Sequence, residues 1–170
     1  MADEARPSGD PAAFRIGLAI ALVCLLADQA SKLWLIYGTT LRLTYPWPVL
    51  PFIDFTVVWN RGISYGLFQQ DSDAGRWFLA AFKIAAAIFL TFWLRKSANR
   101  PETIGIGLII GGAIGNAIDR ILHGAVFDFV HFHIGTFSWY VFNIADAAIV
   151  FGVLFMLVGQ ILPSRAPELP

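Results

Sequence analysis

Four stretches of this chain are long and apolar enough to cross a lipid bilayer, which takes about 20 residues in a helix. They run from about Phe14 to Tyr37, Ala74 to Leu94, Glu102 to Ile118 and Phe142 to Leu162. Hydrocarbon offers the backbone no partner, so such segments must be helices or strands of a closed barrel. Segments of this length, without alternation, predict helices. Composition agrees: 57% of the residues are hydrophobic and 14% charged, against roughly 25% charged in a soluble domain. The expected fold is an all-α membrane protein with four transmembrane helices, in one domain covering 1–170. Residues 1–13 and 163–170, rich in Pro and small polar residues, read as disordered tails.

The first apolar stretch follows Arg15, as a signal peptide would. It is too long for one, has no evident small-x-small cleavage site, and carries Asp28 and Lys32. Arg95, Lys96 and Arg100 lie in the short link between the second and third helices, with Arg6 and Arg15 before the first and Arg165 after the fourth. The positive-inside rule puts that link and both termini in the cytoplasm. The longer connections, about 38–73 and 119–141, then lie outside. Phe52 to Trp59 reads as a strand. Tyr45, Trp47, Trp59, Trp139 and Tyr140 suit the headgroup level. Together they predict a small extracytoplasmic β-sheet on the membrane surface.

A charge in the middle of a membrane helix costs roughly 2.5–3.5 kcal/mol on the insertion scale, so each polar residue in these segments asks for a reason. Asp28 and Lys32 are four apart, on one helix face, and read as a mutually neutralising brace. Gly107, Gly111 and Gly115 form a small-xxx-small face for close helix approach. Gly112, Asn116 and Arg120 repeat at the same spacing on a neighbouring face, and Asn143 and Asp146 share a face at the start of the fourth helix. These groups fall at one depth, in the outer leaflet. Asp119 reads as a solvated interfacial residue, and Lys83 as a snorkelling lysine or one with a distant partner. Cys24, the single cysteine, is a packing residue with no intrachain disulfide open to it. Asp128 and Asp146, on neighbouring segments at the membrane edge, suit acid/base chemistry. His131 and His133 invite a metal reading. In a regular strand they would face away from Asp128, so no metal is assigned there.

Four blocks of residues sharpen this. They are Asp28-Gln29-Ala30-Ser31-Lys32, Asn60-Arg61-Gly62, Gly115 to Arg120 followed by Gly124 to Phe129, and Phe142 to Asp146. In this order, among four helices, the chain resembles the bacterial lipoprotein signal peptidases (signal peptidase II) over nearly its whole length. The resemblance implies an intramembrane aspartyl endopeptidase with Asp128 and Asp146 as the catalytic pair. It implies supporting roles, in substrate binding or structure, for Asp28, Lys32, Asn60, Gly62, Asn116, Arg120 and Asn143. The implied substrates are prolipoproteins whose cysteine carries diacylglycerol, cut just before that cysteine, in the bacterial inner membrane. No cofactor is implied. Membrane lipids are the other expected partners, the protein is expected to be a monomer, and zero net charge points to no nucleic acid. The chain departs from many relatives after Asn60, with Arg61-Gly62-Ile63-Ser64-Tyr65 in place of Thr-Gly-Ala-Ala-Phe. That bears on the shape and mobility of the 60–70 segment over the site. A small proton-coupled transporter or channel would also carry intramembrane charges, but here they cluster at one depth and no paired broken-helix repeat is seen. A non-catalytic lipid-binding scaffold is a third reading.

Overall fold

The structure is a computed structural model, and it describes residues 10–62, 73–97 and 99–161. Four of its helices are long and apolar enough to span a membrane. They are α1 (Pro11–Tyr37), α3 (Asp73–Leu94), α4 (Arg100–His123) and α5 (Ile144–Ile161), with a one-turn helix α2 (Leu41–Thr44) after the first. Strands β1 (Trp47–Leu50), β2 (Ile53–Asn60), β3 (Val126–Ile134) and β4 (Phe137–Ser138) form one antiparallel sheet in sequence order. By connectivity this sheet lies at the end of the bundle where α1 and α4 finish and α3 and α5 begin. The chain is therefore a multi-pass membrane protein with a small sheet at one end of four helices.

Two helix ends differ from the sequence reading. α1 begins at Pro11, inside the stretch read as a tail. Asp10 accepts a hydrogen bond from Ala12 N at 2.8 Å, and a proline at the first position gives up an N–H that has no helical partner anyway. α4 runs on to His123, five residues past Ile118. Asp119 and Arg120 end the apolar run in the sequence, but both are buried and partnered, so the helix continues. It stops at Gly124, whose φ of 79° is the left-handed conformation of a helix C-cap. The expected tail at 163–170 and most of the 60–70 segment lie outside the described residues.

α4 is the central helix, and it is glycine-faced on two sides. A Cβ at Gly107 or Gly111 would strike the backbone carbonyl of Gly17 or Ala21 on α1, and one at Gly105 or Gly112 that of Gly152 or Ala145 on α5. Backbones meet there with no side chain between them, the close approach that small residues permit in lipid. α3 packs against α4 differently, through side chains: Ala87, Leu90 and Leu94 join Ile106, Ile110 and Ala113 in one apolar cluster. Outward-facing Ile16, Val23, Leu26, Phe78, Phe82, Phe89 and Leu154 stay exposed, as a lipid-facing surface requires.

A second cluster fixes the sheet to the bundle. Phe127 and Phe129 of β3 pack with Leu35, Ile36 and Leu41. Their rings stack on each other at 5.8 Å, and Phe55 meets Phe129 edge-on at 5.6 Å. Asp128, between these two phenylalanines, is thereby anchored on both sides.

Candidate active site

The polar residues of α1, α4, β2, β3 and α5 converge where the sheet meets the helices. Asp128 and Asp146 are tied together by two asparagines. Asn143 Nδ2 donates to Asp128 Oδ1 at 2.6 Å and to Asn116 Oδ1 at 3.2 Å, and Asn116 Nδ2 donates to Asp146 Oδ1 at 2.7 Å. Asn143 Oδ1 also accepts from Asp146 N at 2.9 Å, an N-cap contact that sets the first turn of α5. Asn60 Nδ2 donates to the other oxygen of Asp128 at 3.0 Å. Each of these contacts to a carboxylate oxygen comes from an amide, which holds the oxygen in place without adding a charge.

Asp128 and Asn143 are almost wholly buried, at 1% and 0% exposure. Burial first, and the charge of Asp146 second, push the Asp128 carboxyl up to about 7, against hydrogen bonds from Asn60 and Asn143 that pull it down.

Behind the pair lies an ionic cluster. Lys32 Nζ lies 2.7 Å from Asp28 Oδ2 and 2.8 Å from Asp119 Oδ2, and it donates to Asn116 Oδ1 at 3.3 Å. The lysine therefore has two carboxylate partners, where the sequence reading gave it Asp28 alone. Asp119 is buried, contrary to its reading as a solvated residue, because α4 continues past it and turns it toward α1. Each carboxylate also grips a backbone N–H on a segment bearing the pair. Asp28 Oδ1 accepts from Ala145 N at 3.0 Å, next to Asp146, and Asp119 Oδ2 from Phe127 N at 3.1 Å, next to Asp128. Gln29 completes the cluster, donating toward Asp28 Oδ2, Gly115 O and Asp119 Oδ1 at 3.0–3.2 Å.

Gly62 and Arg120 form the remaining wall. Gly62 N donates to Asn60 Oδ1 at 2.9 Å, and Arg120 Nη2 donates to Gly62 O at 2.7 Å. Arg120 thus holds the start of the segment after β2 close to Asp128. Arg76 on α3, not singled out by the sequence, donates to Arg120 O and Ile121 O, both at 2.8 Å, and satisfies carbonyls at the end of α4. Lys83 lines a second cavity of about 260 Å³ beside Asn60, Asn116, Arg120 and Asp146.

The aspartates open onto a cavity of about 760 Å³, whose walls include Asn60 and Gly62, the aromatic residues Trp139, Tyr140 and Phe142, and Val150 and Phe151 on α5. His131 lines this same cavity, although strand alternation predicted that it would face away from Asp128. The strand is irregular at that point. Phe129 N and Val130 N both donate to Phe142 O, and the ladder to β2 slips by one residue between Phe55 and Val58. Counting by twos does not carry across such a bulge.

An apolar cleft with two hydrogen-bonded acids at its base, among four membrane helices, has the build of a membrane enzyme. Two solved structures share the fold. Both are described as bacterial membrane enzymes determined by the in meso method, at 2.3 and 1.9 Å. The first aligns with a TM-score of 0.77 at 24% identity, covering 96% of this chain and 97% of that one. The second aligns with a TM-score of 0.73 at 28% identity, covering 91% and 96%. The profile of signal peptidase (SPase) II matches residues 20–162, and the chain belongs to that family of proteases. It is 58% identical to the lipoprotein signal peptidase of Methylorubrum extorquens (strain PA1) over 92% of each chain. It is 50% identical to that of Nitrobacter hamburgensis (strain DSM 10229 / NCIMB 13809 / X14) over 92% of this chain and 98% of the relative. These likenesses give the transporter reading no support.

Proposed function

We propose that the chain is an aspartyl endopeptidase that removes signal peptides from diacylglyceryl-modified prolipoproteins, cutting just before the lipidated cysteine. The observation that carries this is the amide bridge Asp128–Asn143–Asn116–Asp146 at the base of a cavity walled by apolar and aromatic side chains. One carboxylate takes a proton from water, whose oxygen attacks the scissile carbonyl carbon. The other carboxyl, protonated, donates to the carbonyl oxygen. Collapse of the tetrahedral species breaks the C–N bond, and the departing amine takes up a proton. The raised Asp128 value supports a proton shared by the pair near neutral pH. Asp28 and Asp119 act through the backbone N–H groups they hold, Lys32 through those two carboxylates, and Arg120 through Gly62. The substrate's acyl chains remain in lipid, which fixes the depth of the cysteine and delivers the preceding bond to the pair.

The enzyme on this reading is a monomer of the bacterial inner membrane, in contact with membrane lipids. Arg95, Lys96 and Arg100 support a cytoplasmic α3–α4 link and cytoplasmic termini, which puts the aspartates near the outer leaflet.

The test is cleavage by the purified protein of matched precursors with and without the diacylglyceryl group. The lipidated precursor should be shortened and the unlipidated one cut poorly. Asp128→Asn and Asp146→Asn should each abolish cleavage while remaining folded. Near-normal turnover by either variant would remove the pair from the chemistry, and equal rates on both precursors would remove the lipid-anchoring argument.

A further inference from the structure

The sheet gathers three metal-ligating side chains that the cleavage mechanism does not use. Asp54 on β2 pairs directly with His131 on β3, and His133 stands two residues further along the same strand. One donor atom from each lies within 4.8 Å of the other two. Asp54 Oδ2 is 3.0 Å from His133 Nε2, and the two imidazole rings are 5.3 Å apart between centroids. The group is shielded, with the His133 and Asp54 side chains 30% and 19% exposed.

His133 Nε2 is the telling atom. It is buried and, despite the nearby carboxylate, makes no hydrogen bond of acceptable geometry. A buried nitrogen left in that state asks for a partner. His131 is held from one side, with its Nε2 at 2.7 Å from Ser138 Oγ. A cation on Nδ1 would leave that contact intact, and a hydrogen bond on the far nitrogen is how metal-bound histidines are usually oriented.

We propose that Asp54, His131 and His133 form a binding site for a zinc-class divalent cation on the sheet, at the rim of the cleavage cavity. Two imidazoles and one carboxylate are a donor set that zinc accepts, with a fourth position left for water. Magnesium and calcium prefer all-oxygen sets. Zinc–ligand bonds of about 2.0–2.2 Å place donors of a tetrahedral site roughly 3.3–3.5 Å apart. Asp54 and His133 are already near that spacing, and the His131 donor lies within 4.8 Å of both. The ion would tie β2 to β3, the strands that carry Asn60 and Asp128. This assigns a metal to two histidines to which the sequence assigned none. That reading weighed Asp128 as their companion, whereas the ladder supplies Asp54. The site stands whether or not Asp128 and Asp146 are catalytic.

The test uses full-length protein free of any histidine tag, stripped with a chelator and kept in detergent at pH 7.5. Zinc chloride is titrated in competition with a chromophoric zinc chelator, and thermal unfolding is followed in parallel. One equivalent should bind at micromolar zinc and raise the unfolding temperature, and excess magnesium should not displace it. His131→Ala and His133→Ala should each weaken binding at least tenfold. His123→Ala, at the end of α4, should bind as the unaltered protein does. Asp54→Asn provides a milder variant should either alanine variant fail to fold, and it too should bind more weakly. Failure of the unaltered protein to bind zinc at these concentrations would overturn the site. So would full binding by the folded His131→Ala/His133→Ala double variant.

Discussion

Replacing Asp128 with asparagine should change the stability of this protein in opposite directions at low and high pH. The Asp128 carboxyl is pushed from its ordinary 3.8 up to about 7 by burial and by Asp146. At about 1.36 kcal/mol per unit, a rise of about three units makes ionisation in the fold costly by on the order of 4 kcal/mol. The folded value lies above the unfolded one, so this stability is fully present below about pH 4 and is lost as pH rises through about 7. Asparagine carries no charge to lose. It does, however, offer one oxygen where Asn143 at 2.6 Å and Asn60 at 3.0 Å each need one. One donor is stranded, at about 1–3 kcal/mol whatever the pH. Unaltered protein should therefore be the more stable form below about pH 4, by roughly that 1–3 kcal/mol. The variant should be the more stable at pH 8, by about 1–3 kcal/mol after the two effects offset. Thermal unfolding of both proteins in detergent, followed by tryptophan fluorescence across pH 3.5–8, reads the crossover directly. Other titrating groups largely cancel in the comparison. A difference in unfolding temperature that stays constant over this range would refute the claim that burial and Asp146 keep Asp128 protonated.

Two further outcomes concern the scaffold. Lys32→Met should be more destabilising than Asp28→Asn, because Lys32 is shared by Asp28 and Asp119 at 2.7 and 2.8 Å and its loss leaves two buried carboxylates without a cation. Breaking one buried pair costs about 3–5 kcal/mol, and thermal unfolding that ranks the two variants in the reverse order would refute the shared role. Gly112→Val should lower both unfolding temperature and cleavage, since a Cβ there meets the carbonyl of Ala145, one residue from Asp146. Unchanged values of both would show that α5 can move aside freely.

Much of this architecture is legible in the sequence because lipid imposes simple rules. Apolar length located all four spanning helices. The sheet was legible from one strand and its aromatics. Asp28 with Lys32, and Asn143 with Asp146, followed from helical spacing. What escaped was set by contacts between segments. Asp119 and Arg120 look like the end of a helix to any hydropathy count. Only the presence of Lys32 and of Gly62 O across the bundle explains why α4 keeps them inside. The cap at Asp10 and Pro11 was readable in principle but was masked by the surrounding Pro and Gly. The meeting of Asp54 with His131 depends on a strand register that slips at Phe55–Val58, and no periodicity announces such a slip. Gln29 lay within a quoted motif without a role until its three acceptors were seen.

The glycine faces of α4 also bear on how the protein meets membranes of different thickness. Hydrocarbon thickness varies by several Å between membranes, and helices adapt by tilting or sliding at a cost of fractions of a kcal/mol per Å. α1, α4 and α5 have little freedom to do so singly, because they touch backbone to backbone at Gly107, Gly111, Gly105 and Gly112. They would have to tilt as one block, carrying Asn116, Asn143 and Asp146 with them unchanged. α3 meets α4 through side chains, which can repack. Adjustment to a thicker or thinner bilayer should fall chiefly on α3, and the spacing between the two aspartates should be insensitive to the lipid in which the protein is reconstituted.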